Sequence, residues 1–365
     1  MKKKTNLEIK SLYIHVPYCK RICNYCDFCK KNYNFSECLL FVLDLVKDLK
    51  QNMKKYETIY IGGGTPTCLD DNLFELLLKS CSNLLAENYE FTVEANPENL
   101  TENKLKLLKK YKVNRLSIGV QTFNEKILET LNREVVNNVE IIKNAHKYVK
   151  NINIDLIYGM SFSTFDNLKN DIEIALKLPI NHISLYSLII NPHTVFYVKG
   201  VKEMEGDLLA DQYDFIKEKL KENEFEHYEI SNFARPGFRS KHNLTYWKNE
   251  GYDAYGPGAS GYDYKYRYKY TNNVLDYIYN KTLVENEEVD ETSDFEYEIL
   301  LALRTVDGIN IAHVNKKFGI NFYEKYQKNI ENLIKLNLIE IDEKSLKCRG
   351  DGIFLEEEIF RKLIL

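Results

Sequence analysis

The sequence predicts an α/β protein built from parallel βα units, and three observations carry that prediction. Six short β-branched or aromatic runs occur at 12–16, 58–61, 90–95, 115–119, 152–157 and 182–189. Between them, segments 39–53, 72–85, 102–111, 124–131, 136–149 and 165–178 repeat apolar residues at three- and four-residue spacing, as amphipathic helices do. Strict alternation of this kind folds through right-handed crossovers onto parallel strands. The chain of 365 residues is 44% hydrophobic, which supplies a large core. Periodicity alone leaves a partial barrel and a doubly wound sheet both open.

Beyond Asn191 the alternation lapses into one helical segment, 207–222, and then a Gly- and Tyr-rich stretch. An acidic run at 285–291 leads to helical patterns at 294–304 and 323–336, a strand-like 338–341 and a last helix, the order of a winged-helix-like domain. The expected division is therefore 1–230, 231–284 and 285–365. From Ile320 onward acidic and basic residues nearly balance, so the tail reads as a structural or lid domain and not as a DNA reader.

Fifty basic and 54 acidic residues are mixed along the chain, a net charge of −4 that argues for no nucleic-acid partner and no anionic membrane. No apolar stretch is long enough for a signal-peptide core or a transmembrane segment, which places the chain in the cytoplasm with reduced thiols. Of eight cysteines, three fall within eight residues, Cys19, Cys23 and Cys26, with Cys29 close behind. Thiolates at that spacing on one loop after a first strand can take three corners of an iron–sulfur cube and leave one iron open. Buried structural thiols, or a zinc site completed by Cys29, are the alternatives that spacing leaves open.

Further motifs sit at successive strand ends. Gly62, Gly63, Gly64 and Thr65 would let backbone N–H groups approach a polar ligand, and Glu94, Gln121, Arg133 and Asp155 offer charge and hydrogen bonds. Together with Tyr13-Ile-His-Val-Pro-Tyr-Cys19 and the cysteine triad, these segments resemble the radical S-adenosylmethionine (SAM) superfamily, specifically its oxygen-independent coproporphyrinogen III oxidase-like family, over nearly the whole chain. The resemblance implies a partial (β/α)6 barrel and a [4Fe–4S] cluster on Cys19, Cys23 and Cys26. It also implies SAM bound by Gly62, Gly63, Gly64, Thr65, Glu94, Gln121, Arg133 and Asp155, with Tyr13 and Tyr25 beside it, and an electron donor for the cluster.

Within that family the chain resembles the HemW-type heme chaperones more than the oxidases. The oxidases carry a further cysteine two positions after the triad, where this chain has Phe28, and a longer arm before the first strand. His242-Asn243-Leu244-Thr245-Tyr246-Trp247 is similar to the chaperones' HNxxYW element. The resemblance implies heme as ligand, His242 as its axial partner with Tyr246 and Trp247 as flat faces, and delivery to an acceptor protein. Oxidative decarboxylation of coproporphyrinogen III, or another radical SAM reaction, is the alternative; no catalytic residue is assigned. Asn132-Arg133-Glu134-Val135, where the chaperones have Gly-Arg-x-His, departs from the pattern, and Cys29 adds a thiol. Tyr262, Tyr264, Tyr266, Tyr268 and Tyr270 are expected on one face of a single strand.

Overall fold

A computed structural model describes residues 7–364. Six parallel strands form its centre: β1 (Ser11–Val16), β2 (Tyr56–Gly63), β3 (Leu85–Ala95), β4 (Arg115–Gln121), β5 (Asn151–Tyr158) and β6 (His182–Ser187). They pair in chain order, with Ser11 opposite Thr58, Thr92 opposite Arg115 and Asn153 opposite His182. Because all six run the same way, their carboxyl ends share one edge, where parallel α/β folds gather functional groups.

The crossovers are helical: α1 (Phe35–Gln51), α2 (Asp71–Ser82), α3 (Glu102–Lys110), α4 (Glu125–Thr130) with α5 (Asn138–Ala145), and α6 (Phe165–Leu176). In α1 the Asn34 side chain accepts from the Glu37 N–H as an N-cap, and Cys38, Phe41, Val42, Leu45, Val46 and Leu49 form the buried stripe. Strands alternate in the same spirit. On β4, Leu116, Ile118 and Val120 join the core under the helices, while Arg115, Ser117, Gly119 and Gln121 line a cavity on the other face. That one cavity touches residues of β2 through β6, so the sheet curls around it.

The sheet continues past the six strands. After α7 (Gly206–Glu222), β7 (Glu226–Glu229) and β8 (Asn232–Ala234) add antiparallel strands beside β6. After α8 (Lys241–Trp247), β9 (Tyr252–Tyr255) pairs parallel with the outer edge of β1, and β10 (Ser260–Tyr262), β11 (Tyr266–Tyr270) and, beyond α9 (Val274–Asn280), β12 (Leu283–Glu288) follow antiparallel. Among the described residues the sheet has twelve strands, and residues 231–284 thus supply part of it.

The five tyrosines do not share one strand. Asp263 Oδ1 accepts from the N–H groups of Lys265 and Tyr266, and Tyr264 takes a φ of +69°, so the run is a hairpin. A local Asx turn wins over alternation there.

From α10 (Glu291–Leu303) onward a second core forms, including Ile299, Leu303, Phe322, Ile330, Leu333 and Leu363. Its three-stranded sheet, β13 (Ile309–Asn310), β14 (Ile339–Ile341) and β15 (Ser345–Cys348), packs with α11 (Ile311–Phe318), α12 (Phe322–Lys335) and α13 (Glu356–Ile364) in a winged-helix-like arrangement. Polar contacts fasten this unit to the first: Arg239 to Asp307 at 2.9 Å, Asn249 Nδ2 to Asp294 Oδ1 at 3.0 Å, and the Arg304 guanidinium 4.8 Å above the Trp247 ring.

The loop after β4 is held by Asp171 of α6, whose buried carboxyl accepts from Thr122 Oγ1 at 2.7 Å and Phe123 N–H at 2.8 Å. Replacing Asp171 by Ala strands both donors, and urea denaturation should show a loss of about 1–3 kcal/mol.

Candidate functional site

The cysteine loop is pinched at its base. Tyr18–Cys19 pairs with Lys31–Asn32, with the Lys31 N–H on Pro17 O at 2.6 Å and the Tyr33 N–H on Cys19 O at 2.9 Å. Its far side is tied to the end of α4, where Asn24 N–H donates to Leu131 O at 3.0 Å and Asn132 Nδ2 to Ile22 O at 2.8 Å. Cys19, Cys23 and Cys26 all line the cavity, which encloses about 440 Å³. Two donors face sulfur: Thr65 Oγ1 lies 3.5 Å from Cys19 Sγ and Arg133 Nη1 lies 3.7 Å from Cys23 Sγ.

Burial pushes the Cys19 thiol up to about 11 and raises Cys26 as well, so ionising them calls for a bound metal. Among the described residues no three His, Cys, Asp or Glu side chains converge as ligands of one ion would. All three thiols line this one cavity, where a cluster would take them as three of its ligands. Gly64 adds a cradle, since a Cβ there would stand 3.0 Å from Cys19 Sγ and 2.8 Å from Tyr18 O. Cys29 turns away: it is absent from the lining, its Sγ faces Asn272 O at 3.5 Å, and its Cβ packs where Gly258 leaves room.

Opposite the thiols stands Glu94, at the end of β3. Its carboxylate accepts from Tyr60 OH at 2.7 Å and from Gly63 N–H at 3.0 Å. Gly62 itself does not line the cavity; any Cβ there would meet the Glu94 carboxyl at 2.8 Å, so this glycine makes room for the acid. Burial lifts Glu94 to about 7, opposed by the Tyr60 hydrogen bond. Asp155, on β5, is likewise raised by burial and accepts from Asn153 Nδ2 at 2.8 Å and Ser117 Oγ at 3.2 Å. Gln121 sits where the β4–β5 register slips, with φ of +68°, and lines the cavity. Arg133 is bound to Gly119 O and, at 2.8 Å, to Asn96 Oδ1, while Tyr25 lines the wall beside Cys23.

Several lining residues escaped the sequence reading. Asn96 links the two sulfur donors, giving Nδ2 to Thr65 Oγ1 at 3.2 Å while accepting from Arg133. It lies inside the segment Glu94-Ala-Asn-Pro97, so the motif held it. Tyr60 and Arg115 carry no motif signal beyond strand alternation, which puts Tyr60 two residues before Gly62 and Arg115 two before Ser117 on the inner face. Arg115 is 2% exposed, and its Nε has no hydrogen-bond partner among the described residues.

Tyr13 and His242 are not part of the lining. Tyr13 lies behind Tyr60, ring centroids 6.1 Å apart, with its hydroxyl 2.9 Å from His15 Nδ1. His242 is 1% exposed, with Nδ1 at 2.7 Å from Thr58 Oγ1 and Nε2 at 2.8 Å from Tyr246 OH. Both ring nitrogens are taken, so the axial-ligand role expected for His242 does not fit this arrangement. The flat faces expected of its neighbours are also in use: Arg304 covers Trp247, and Tyr246 packs edge-on against Tyr252. Of the element, Asn243 reaches the cavity.

The sequence model described as Radical SAM superfamily matches residues 13–174, and the one described as HemN C-terminal domain matches residues 291–355. The heme chaperone HemW of Lactococcus lactis subsp. lactis is 38% identical over 370 residues, covering 97% of each chain. The chain belongs to the HemW family. HemW of Bacillus subtilis is 35% identical over 96% of this chain and 98% of its own. The structure of coproporphyrinogen III oxidase (HemN) from Escherichia coli superposes with a TM-score of 0.84 at 18% identity, over 99% of this chain and 91% of that one, which shows a shared fold. As a radical SAM protein, this HemW-family chain uses a [4Fe–4S] cluster and SAM, and the thiols, cradle and paired acids described above suit both.

If Glu94 receives the amino group of SAM, it must be ionised to accept. Equilibrium SAM binding to the cluster-loaded protein should then be flat above pH 7 and weaken about tenfold per pH unit below it. Affinity unchanged between pH 8 and 6 would remove Glu94 from that role.

Proposed function

We propose that this chain is a heme chaperone that holds heme at the mouth of its SAM and cluster cavity and passes it to an acceptor protein. Cys19, Cys23 and Cys26 hold the cluster. Gly63, Gly64, Thr65, Glu94, Gln121, Arg133 and Asp155 form the SAM site, with Tyr25 in its wall and Gly62 and Tyr13 behind it. In this reading residues 1–230 carry the cofactors, 231–284 complete the sheet, and 285–365 form the tail unit. When bound, SAM and the cluster supply reductive cleavage to a 5′-deoxyadenosyl radical, for which an electron donor is required.

One observation carries the heme reading. The cavity is polar in its depth, yet its lining includes Phe28, 66% exposed, and Ile189, 60% exposed, together with the exposed Tyr186. A flat apolar ligand wider than the cavity would lie across such a rim, whereas SAM would need the polar depth. The rim belongs to two segments tied together, with Asn191 Nδ2 on Asp27 Oδ2 at 2.5 Å and Phe196 N–H on Asn24 O at 2.9 Å. Among the described residues no helix is long and apolar enough to cross a membrane, and all eight cysteines are free, which supports a cytoplasmic setting.

Anaerobic heme titration of the cluster-loaded protein should saturate at one equivalent. Phe28→Asp and Ile189→Asp should each weaken it by about tenfold or more, the scale of one buried apolar side chain. Saturation that neither variant alters would move heme elsewhere, and no saturation at all would sink the chaperone reading. Separately, serine at Cys19, Cys23 or Cys26 should abolish the cluster's visible absorbance after reconstitution, while serine at Cys29 should leave it intact.

A further inference from the structure

We propose that His242 is a positioning residue of the SAM site, acting through the Tyr60 ring to hold the Glu94 carboxylate in place. The inference rests on the reading of the cavity as the SAM site. The contacts run in one line. The His242 imidazole stacks on the Tyr60 ring with centroids 5.1 Å apart and an interplanar angle of 28°. Tyr60 in turn gives its hydroxyl to Glu94 Oε1 at 2.7 Å.

The imidazole has little freedom to be anything else. Thr58 Oγ1 and Tyr246 OH occupy its two nitrogens at 2.7 and 2.8 Å, and Tyr13 closes the remaining side with ring centroids 6.4 Å away. Burial and then the charge of Arg115 hold it neutral, pushed down to about 3, so the stack on Tyr60 carries no charge at any ordinary pH. A ring fixed at both nitrogens is a wall for its neighbour, and Tyr60 has Tyr13 on another side at 6.1 Å. The phenol therefore arrives at Glu94 already oriented.

The backbone around His242 is anchored to the same strands that carry the site. Glu90, on β3 four residues before Glu94, accepts from the N–H groups of both Lys241 and His242 at 3.1 Å. Thr58 belongs to β2, two residues before Tyr60, and Ser11 of β1 meets Thr245 at 2.9 Å between hydroxyls. The helix α8 is thus fastened to three successive strands beneath the cavity, one pleat below Tyr60 and two below Glu94. This placement accounts for a histidine in a seven-residue helix that faces the inside of the sheet and stays out of the cavity.

The test is the pH dependence of equilibrium SAM binding to the full-length, cluster-loaded protein, compared with Tyr60→Phe, His242→Gln and Glu94→Gln. Tyr60→Phe removes one of the two donors to Glu94, so the acid becomes harder to ionise and the midpoint should move up by about one pH unit, with affinity at pH 7 down about fivefold. His242→Gln keeps polar groups for Thr58 and Tyr246 but removes the ring. It should shift the midpoint the same way, while heme titration is unchanged. If Tyr60→Phe shifts the midpoint and His242→Gln does not, His242 has no positioning role. If His242→Gln abolishes heme binding and leaves SAM binding as it was, the residue is a heme ligand and the proposal is overturned. If Glu94→Gln itself leaves SAM binding and its pH profile unaltered, the reading of the cavity fails, and the proposal falls with it.

Discussion

Burying the carboxylate of Glu94 at the inner end of a parallel strand is the constraint around which the centre of this molecule is arranged. An ionised acid away from water is costly unless donors reach it. Here the Gly63 N–H and the Tyr60 hydroxyl reach it, and the positive charge of Arg115 favours its ionised form. Gly62 must be a glycine because the acid occupies the space of its side chain. Asn96, two residues on, spends its amide joining Thr65 to Arg133, so the strand that carries the acid also sets the two groups facing sulfur. One strand end therefore governs both the iron side and the organic side of the cavity.

Much of this was legible in the sequence, for a physical reason. Cluster ligands, glycine turns and strand-end acids are local patterns, fixed within a few residues by backbone geometry, and the structure brings Cys19, Cys23, Cys26, Thr65, Glu94, Gln121, Arg133 and Asp155 to one cavity. The βα alternation gave the parallel sheet for the same reason. What the sequence could not reveal depends on contacts far apart in the chain. Whether His242 faces solvent, cavity or core is decided by Thr58, nearly two hundred residues earlier, and by Glu90. Short strands such as β9 carry too few residues to show a period, and the tyrosine run at 262–270 has perfect alternation, yet an aspartate turn at Asp263 folds it into a hairpin.

The cavity and the tail follow different physical rules. The cavity floor is dense in charged and hydroxyl groups whose partners are mutual, while its mouth exposes large apolar side chains that the fold has not covered. The tail has its own closed core and meets the first unit through the Arg239–Asp307 ion pair, the Asn249–Asp294 contact, the Arg304–Trp247 stack and an edge-on contact of Phe354 with Tyr213 at 4.3 Å, a mixed polar and aromatic junction between separately packed units. Trp247 belongs to that junction. The HNxxYW element thereby divides its labour along six residues, from the floor of the sheet at His242 to the tail at Trp247.

The pairing of β1 with β9 sets an order of assembly. Ser11 lies beside Tyr252, so the strand leading into the cysteine loop finds its outer neighbour across about 240 residues of chain. Its inner neighbour, β2, arrives early; the other edge stays open for most of synthesis. Such an edge is a template for wrong pairing as well as right. A ribosome-bound chain of this sequence would carry its cysteine loop beside an unpaired strand until the last third of the protein emerges, so its yield of correctly folded molecules should be governed by how long that edge waits.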